Sequence, residues 1–292
     1  MSHRKSSLLV AVASSLFLAA GVAQARTHHH HVAPVPDDGG PGLRSAAALV
    51  IDPSKPSEPI YAKHADQAAP IASITKLMTV LVVSEAHQSL DEPITISQED
   101  CALAKESSSR LLAGTTLTRR DLIHLALMAS ENRAAHALGR SYPGGLQAAV
   151  SAMNDKAAAL GMVHSNFVEP TGLDSDNVAS PEDLSKLVQA ASQDPLIREF
   201  STDEQYAVKI GRHLLTFRNT DALVHNPAWT IVVQKTGFIN EAGRCLVMKA
   251  VIDEREVIIV LLNGYGKNTR IADARRIKRW MEETLAHASA KT

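Results

Sequence analysis

Ser73 and Lys76 stand three residues apart in the stretch Ile71-Ala72-Ser73-Ile74-Thr75-Lys76-Leu77-Met78-Thr79. Pro70 precedes it, and an apolar run of Leu77, Met78, Val80, Leu81 and Val82 carries on behind. That run predicts a helix opening at Ser73. Helical spacing then puts the hydroxyl and the amine on one face, within reach of each other. A serine hydroxyl is a weak nucleophile until a neighbouring base takes its proton. A lysine can be that base if partial burial and the positive end of a helix lower its pKa. The spacing is not specific, because Ser2-His3-Arg4-Lys5 repeats it. A helix-capping serine beside a solvated lysine would read the same way.

Two further triplets carry polar chemistry. Ser130-Glu131-Asn132 lies between two helical stretches, Asp121 to Ala129 and Arg133 to Leu138. A short loop there lets Ser130 and Asn132 face one cleft from a rigid side wall. Ser175-Asp176-Asn177 has the same Ser-x-Asn form but sits in a turn-rich segment, where an Asx turn accounts for it. Lys235-Thr236-Gly237 ends a Val-rich stretch and precedes Phe238. On a strand it would present a cation and a hydroxyl beside a glycine that admits close backbone approach to a ligand.

The elements that must position these residues follow from the rest of the chain. Residues 1–25 read as a secretory leader: Arg4 and Lys5, an apolar stretch from Leu8 to Ala20, then Ala23-Gln24-Ala25 fitting a small-x-small cleavage site. That stretch is short for a membrane span, and no other qualifies. Residues 26–42, with His28 to His31 followed by Pro, Asp and Gly, read as a disordered linker rather than a metal site. Residues 43–288 form one domain, large enough to bury a core. The formal net charge of −1 gives no electrostatic case for nucleic acid or an anionic bilayer. Cys101 and Cys245 could pair in an oxidising compartment; their apolar contexts favour two buried thiols.

Strand-like segments come first (Ala46 to Ile51, Ile60 to Lys63) and last (Tyr206 to Ile210, Thr230 to Gln234, Arg244 to Ile252, Val257 to Leu262). Helices fill the middle, including Leu146 to Leu160 and one opened by Ser180-Pro181-Glu182-Asp183 as N-cap, N1 proline and acidic first turn. A basic helix, Ile271 to His287, closes the chain; its apolar residues favour packing on the sheet over lying on a membrane. The expected class is α+β, an α/β sandwich with a mostly antiparallel sheet built from both chain ends, flanking helices and a helical subdomain.

Ser-x-x-Lys, Ser-x-Asn 57 residues later, and Lys-Thr-Gly on a late strand together make an ordered set. In that order, and in Met128-Ala129-Ser130-Glu131-Asn132-Arg133-Ala134-Ala135, Glu169-Pro170-Thr171-Gly172-Leu173 and Lys235-Thr236-Gly237-Phe238, the chain resembles the low-molecular-mass penicillin-binding proteins. These are serine D-Ala-D-Ala peptidases of β-lactamase/transpeptidase-like fold. The likeness is greatest to their D-alanyl-D-alanine endopeptidase branch, the penicillin-binding protein seven type, and spans residues 43–285.

The resemblance implies roles. Ser73 would form an acyl-enzyme with a D-alanine carbonyl, Lys76 would be its base, and Ser130 would relay a proton to the leaving amine. Asn132 would bind the substrate backbone, and Thr236 its carboxylate, with Arg270 as a second carboxylate-binding group. Lys235 would supply positive potential that keeps Lys76 neutral. Gly237 lines the cleft, and the amides of Ser73 and Phe238 would hold the oxyanion. No metal or other cofactor is called for.

The implied partners are peptidoglycan stem peptides and, as covalent inhibitors, β-lactam antibiotics. A β-lactamase would need a glutamate placed for deacylation; Glu169 sits in a Glu-Pro-Thr-Gly turn of the peptidase pattern, so penicillin should inhibit rather than be consumed. The chain stops soon after its closing helix, which favours a soluble periplasmic endopeptidase over a membrane-anchored carboxypeptidase. Carboxypeptidase activity, a serine β-lactamase and a silent wall-binding protein are the alternatives. Oligomeric state is not legible.

Overall fold

The computed structural model describes residues 40–102 and 109–289. The expected leader and residues 26–39 of the expected linker lie outside the described residues. In chain order, the first half holds β1 (Ser45–Ile51), β2 (Tyr61–Lys63), β3 (Ala69–Pro70), α1 (Thr75–Glu85), β4 (Pro93–Thr95), α2 (Gln98–Ala102), β5 (Thr116–Thr118), α3 (Arg119–Met128), α4 (Asn132–Arg140) and α5 (Gly145–Ala159). The second half holds β6 (Val178–Ala179), α6 (Pro181–Ala191), α7 (Pro195–Thr202), β7 (Gln205–Ile210), β8 (His213–Arg218), β9 (Thr230–Ile239), β10 (Gly243–Ile252), β11 (Arg255–Gly264) and α8 (Thr269–Ser289).

The main sheet runs β2-β1-β11-β10-β9, and every neighbouring pair is antiparallel. The first strand therefore pairs with the last, as a sheet built from both chain ends requires. Alternation along these strands splits their side chains between two apolar layers. Leu49, Val247, Ile258 and Val260 join the core containing α1 and α6, while Val50, Met248, Ile259 and Leu261 meet Ala274, Ile277 and Met281 of α8. The closing helix thus packs on the sheet. Asp273 of α8 ties it to β1, accepting from the Ser45 amide and hydroxyl, both at 2.7 Å.

The helical side is centred on α1. Its residues from Thr75 to Val83 are all buried, which is the behaviour of a helix apolar on every face. Local signals set the ends of its neighbours. Thr118 and Asp121 form a reciprocal capping box on α3, and the Ser180 hydroxyl accepts from the Asp183 amide at the start of α6, with Pro181 in its first turn.

Three expectations are corrected. The helix does not open at Ser73; a single 3-10 turn, Ala72–Ile74, comes first and α1 follows. The segment Tyr206 to Ile210 is a strand, but it leaves the main sheet and pairs with β8 as a separate hairpin. Cys101 and Cys245 are free thiols, and only Cys245 is fully buried; Cys101 is half-buried.

Candidate active site

Ser73 sits in the 3-10 turn where two strands of chain press on it. From one side comes β9: a Cβ placed on Gly237 would fall 2.8 Å from the Ile71 carbonyl oxygen and 3.2 Å from the Ser73 nitrogen. From the other comes the turn after Pro170: a Cβ on Gly172, whose φ is +78°, would fall 1.9 Å from the Ala72 carbonyl oxygen. Only glycine fits either place. Two residues that are not glycine also hold left-handed backbone here, Ala72 (φ +48°) and Ser130 (φ +57°). Each costs about 1–3 kcal/mol, and such strain persists where the surroundings over-determine it.

One turn into the helix, the Lys76 amine is fully buried and touches three oxygens. They are Ser73 Oγ at 2.8 Å, Asn132 Oδ1 at 2.6 Å and the Thr171 carbonyl at 2.5 Å. An ammonium would donate to all three. A neutral amine would donate to Asn132 and Thr171 and turn its lone pair to the Ser73 hydroxyl. Burial lowers the Lys76 pKa from 10.5 to about 7, against the opposing charges of Glu169 and Glu131. The geometry and the protonation state therefore both suit a base acting on Ser73.

The wall opposite α1 is the break between α3 and α4. Glu131 caps α4 by accepting from the Arg133 amide, which turns Asn132 inward as the first helical residue. Burial raises the Glu131 carboxyl above its usual range. Among the described residues the Ser130 hydroxyl has no hydrogen-bond partner. The competing Asn177 turns out to be structural: fully buried, it accepts from the Val168 amide and donates to Glu169.

The third wall is β9. The Lys235 amine is fully buried and donates to the Thr236 carbonyl at 2.8 Å. Its pKa is pushed well below the ordinary value by burial first, then by the charges of Lys76 and Arg270. Burial leads at both amines, and the two positive charges disfavour one another. Thr236 Oγ1 lies 2.6 Å from Thr220 Oγ1, and the Thr220 amide donates to the Met128 carbonyl at the end of α3. Phe238 is exposed, with the Arg244 guanidinium 3.8 Å over its ring. Arg270, at the start of α8, donates to the Gly237 carbonyl at 2.7 Å and so reaches the strand it was expected to serve.

Of the nine residues picked from the sequence, eight lie on the Ser73 turn and α1, the α3–α4 break and β9, and Arg270 reaches β9 from α8. Thr171 and Thr220 were not among them. Thr171 enters through its backbone carbonyl, which carries no residue signal, and Thr220 through a loop with no motif.

A family profile described as D-alanyl-D-alanine carboxypeptidase matches residues 35–266. A D-alanyl-D-alanine endopeptidase of Pseudomonas aeruginosa is 44% identical over 95% of this chain and 90% of its own length. The D-alanyl-D-alanine endopeptidase of Escherichia coli K12 is 43% identical over 83% of this chain and 78% of its own. Among solved structures, the Streptomyces K15 DD-transpeptidase superposes with a TM-score of 0.76 at 25% identity, covering 82% of this chain and 97% of that one.

Proposed function

This chain belongs to the D-alanyl-D-alanine carboxypeptidase family, and on that premise we propose that it is a serine D,D-endopeptidase acting on peptidoglycan. It cuts D-alanyl–diaminopimelate cross-links through an acyl-enzyme on Ser73, in the periplasm. The observation that carries this reading is the buried Lys76 amine 2.8 Å from Ser73 Oγ. The endopeptidase names of two relatives above 40% identity support the choice of bond.

Ser73 Oγ attacks the D-alanyl carbonyl while its proton passes to Lys76. The oxyanion meets the amides of Ser73 and Phe238; the close approach of Gly237, the residue before Phe238, to the Ser73 nitrogen supports this pairing. Collapse breaks the C–N bond; Ser130 hands its proton to the leaving amine and takes the proton held on Lys76 in its place, which leaves Lys76 neutral again. Asn132 accepts from the Lys76 amine and offers its amide nitrogen to the substrate backbone. Thr236 and Arg270 meet the carboxylate of the leaving residue. Water, deprotonated by Lys76, then releases the acyl group.

β-Lactams acylate the same serine and stay there. Glu169, the carboxylate nearest in role to a deacylating base, is spent on backbone amides of Thr171 and Gly172 and on the Asn177 amide. Among the described residues no helix is long and apolar enough to cross a membrane.

The test is a digest of purified cross-linked muropeptides. Conversion of dimers to monomers, lost in Ser73→Ala, is the expected result. Release of D-alanine from pentapeptides with dimers untouched moves the assignment to carboxypeptidase, a reading the family description favours. Nitrocefin turnover over many equivalents would make it a β-lactamase.

A further inference from the structure

We propose that Glu169 is a positioning residue for Lys76: its carboxylate folds the turn that delivers the Thr171 carbonyl to the lysine amine. The inference rests on the serine-peptidase reading above and deepens it.

Thr171 Oγ1 and Asp174 hold the far side of the turn, accepting from the Leu173 and Asp176 amides, and Glu169 holds the side that faces Lys76. Glu169 Oε2 accepts from the Thr171 amide at 2.6 Å, and Oε1 accepts from the Gly172 amide at 2.5 Å and from Asn177 Nδ2 at 2.6 Å. The Asp174 amide approaches the same oxygen at 3.5 Å. A carboxylate is the one side chain that accepts from so many donors at once. The loop so folded touches the Ser73 turn at several places. The Thr171 carbonyl receives Lys76 Nζ at 2.5 Å, and the Pro170 carbonyl receives the Thr79 hydroxyl at 2.8 Å. Gly172 lies on the Ala72 carbonyl, and the Asn177 carbonyl receives the Ile71 amide at 3.1 Å. Both the nucleophile's backbone and the base's amine are therefore seated on a loop in which Glu169 gathers the Thr171 and Gly172 amides and the Asn177 side chain.

The charge of Glu169 has a second consequence. The charged groups facing Lys76 are Glu169 from this turn, Glu131 from the start of α4 and Lys235 from β9. Glu169 is the larger of the two that favour the ammonium. Removing it makes the amine a free base at lower pH. A carboxylate that served only as mortar would leave that titration untouched.

The experiment measures the rate of acylation by a fluorescent penicillin across pH in the full chain. In Glu169→Gln the plateau rate should fall about tenfold or more, since small displacements of a reacting group are costly. Its acid limb should move to lower pH by about one unit. In Glu169→Asp, which keeps the charge but shortens the reach, the plateau should fall while the limb stays at the wild-type pH. If Glu169→Gln does not fold, Glu169→Asp carries the test. A wild-type plateau in either folded variant overturns the proposal, as does an unmoved limb in Glu169→Gln. Labelling that persists in Ser73→Ala would instead overturn the serine-peptidase reading.

Discussion

Helix α4 meets a buried polar cluster at each end, and the two are opposite in kind. At its first residue, Asn132, lies the amine of Lys76, with Lys235 close enough to feel its charge; the hydrogen bonds of both amines go to neutral oxygens. Further along, His136 and Arg140 converge on the fully buried Asp100. His136 Nδ1 lies 2.6 Å from Oδ1, and Arg140 donates to both oxygens at 3.1 and 2.9 Å. Burial pushes the Asp100 carboxyl up, but hydrogen bonds from His136, Arg140 and Ser97 outweigh it and hold the group far below its usual range. At Lys76 and Lys235 nothing outweighs burial, and both amines are pushed toward neutrality. A buried charge hydrogen-bonded to its counter-charge becomes architecture; a buried amine whose carboxylates stay out of contact becomes a base.

The sharpest way to break this contrast is to make the lysine's charge permanent. A guanidinium cannot be deprotonated, so Lys76→Arg should slow penicillin acylation by about a thousandfold. Labelling kinetics on folded protein read this directly. At the other end of α4, Asp100→Asn should cost about 3 kcal/mol in urea unfolding. That is the low end for a broken buried pair, because the Arg140 side chain is 30% exposed. Acylation by the folded variant should be unchanged; a loss would show that the two clusters are coupled.

The clusters should also mark the pH dependence of stability in separate windows, with the same sign in each. The folded-state pKa of Lys76 is below its unfolded value of 10.5, so the unfolded chain binds the extra proton between pH about 7 and 10.5. Stability therefore rises with pH across that window, and Lys76→Met should flatten the rise. Asp100 is depressed as well, but at the acid end: its contribution is present above its unfolded pKa of 3.8 and is lost as the pH falls below that value, so stability rises with pH there too. Urea midpoints at pH 3, 7.5 and 10 separate the two. The smallest effect belongs to Thr220→Val. Losing one hydroxyl contact to Thr236 should reduce muropeptide turnover about threefold through KM, with acylation chemistry little changed.

The active site was legible where chemistry needs a particular side chain. Ser73, Lys76, Ser130, Asn132 and Lys235 are specified by type and order. Their supports were not, because Thr171 acts through a carbonyl and Glu169 through backbone amides, which any sequence supplies. In the fold, the β1–β2 pairing, α3, α5, α6 and α8 follow from apolar periodicity and caps. The β7–β8 hairpin was misplaced because a Val- and Ile-bearing strand reads alike whether it joins a central sheet or stands apart. Its residues are mostly exposed or half-buried, with Val208 and Phe217 as the buried exceptions. The 3-10 entry to α1 was invisible, since close contact with Gly172 and Gly237 shapes it from outside.

The bond between Ser45 and Asp273 joins residues 228 positions apart. Strand β1 emerges early in synthesis, yet the neighbours that complete its hydrogen bonding appear only when nearly the whole polypeptide exists. Such distant closure makes for slow folding and leaves the nascent chain open until its end arrives. Under the proposed periplasmic function, delay of this kind would keep the chain in a form that can still pass a translocation channel.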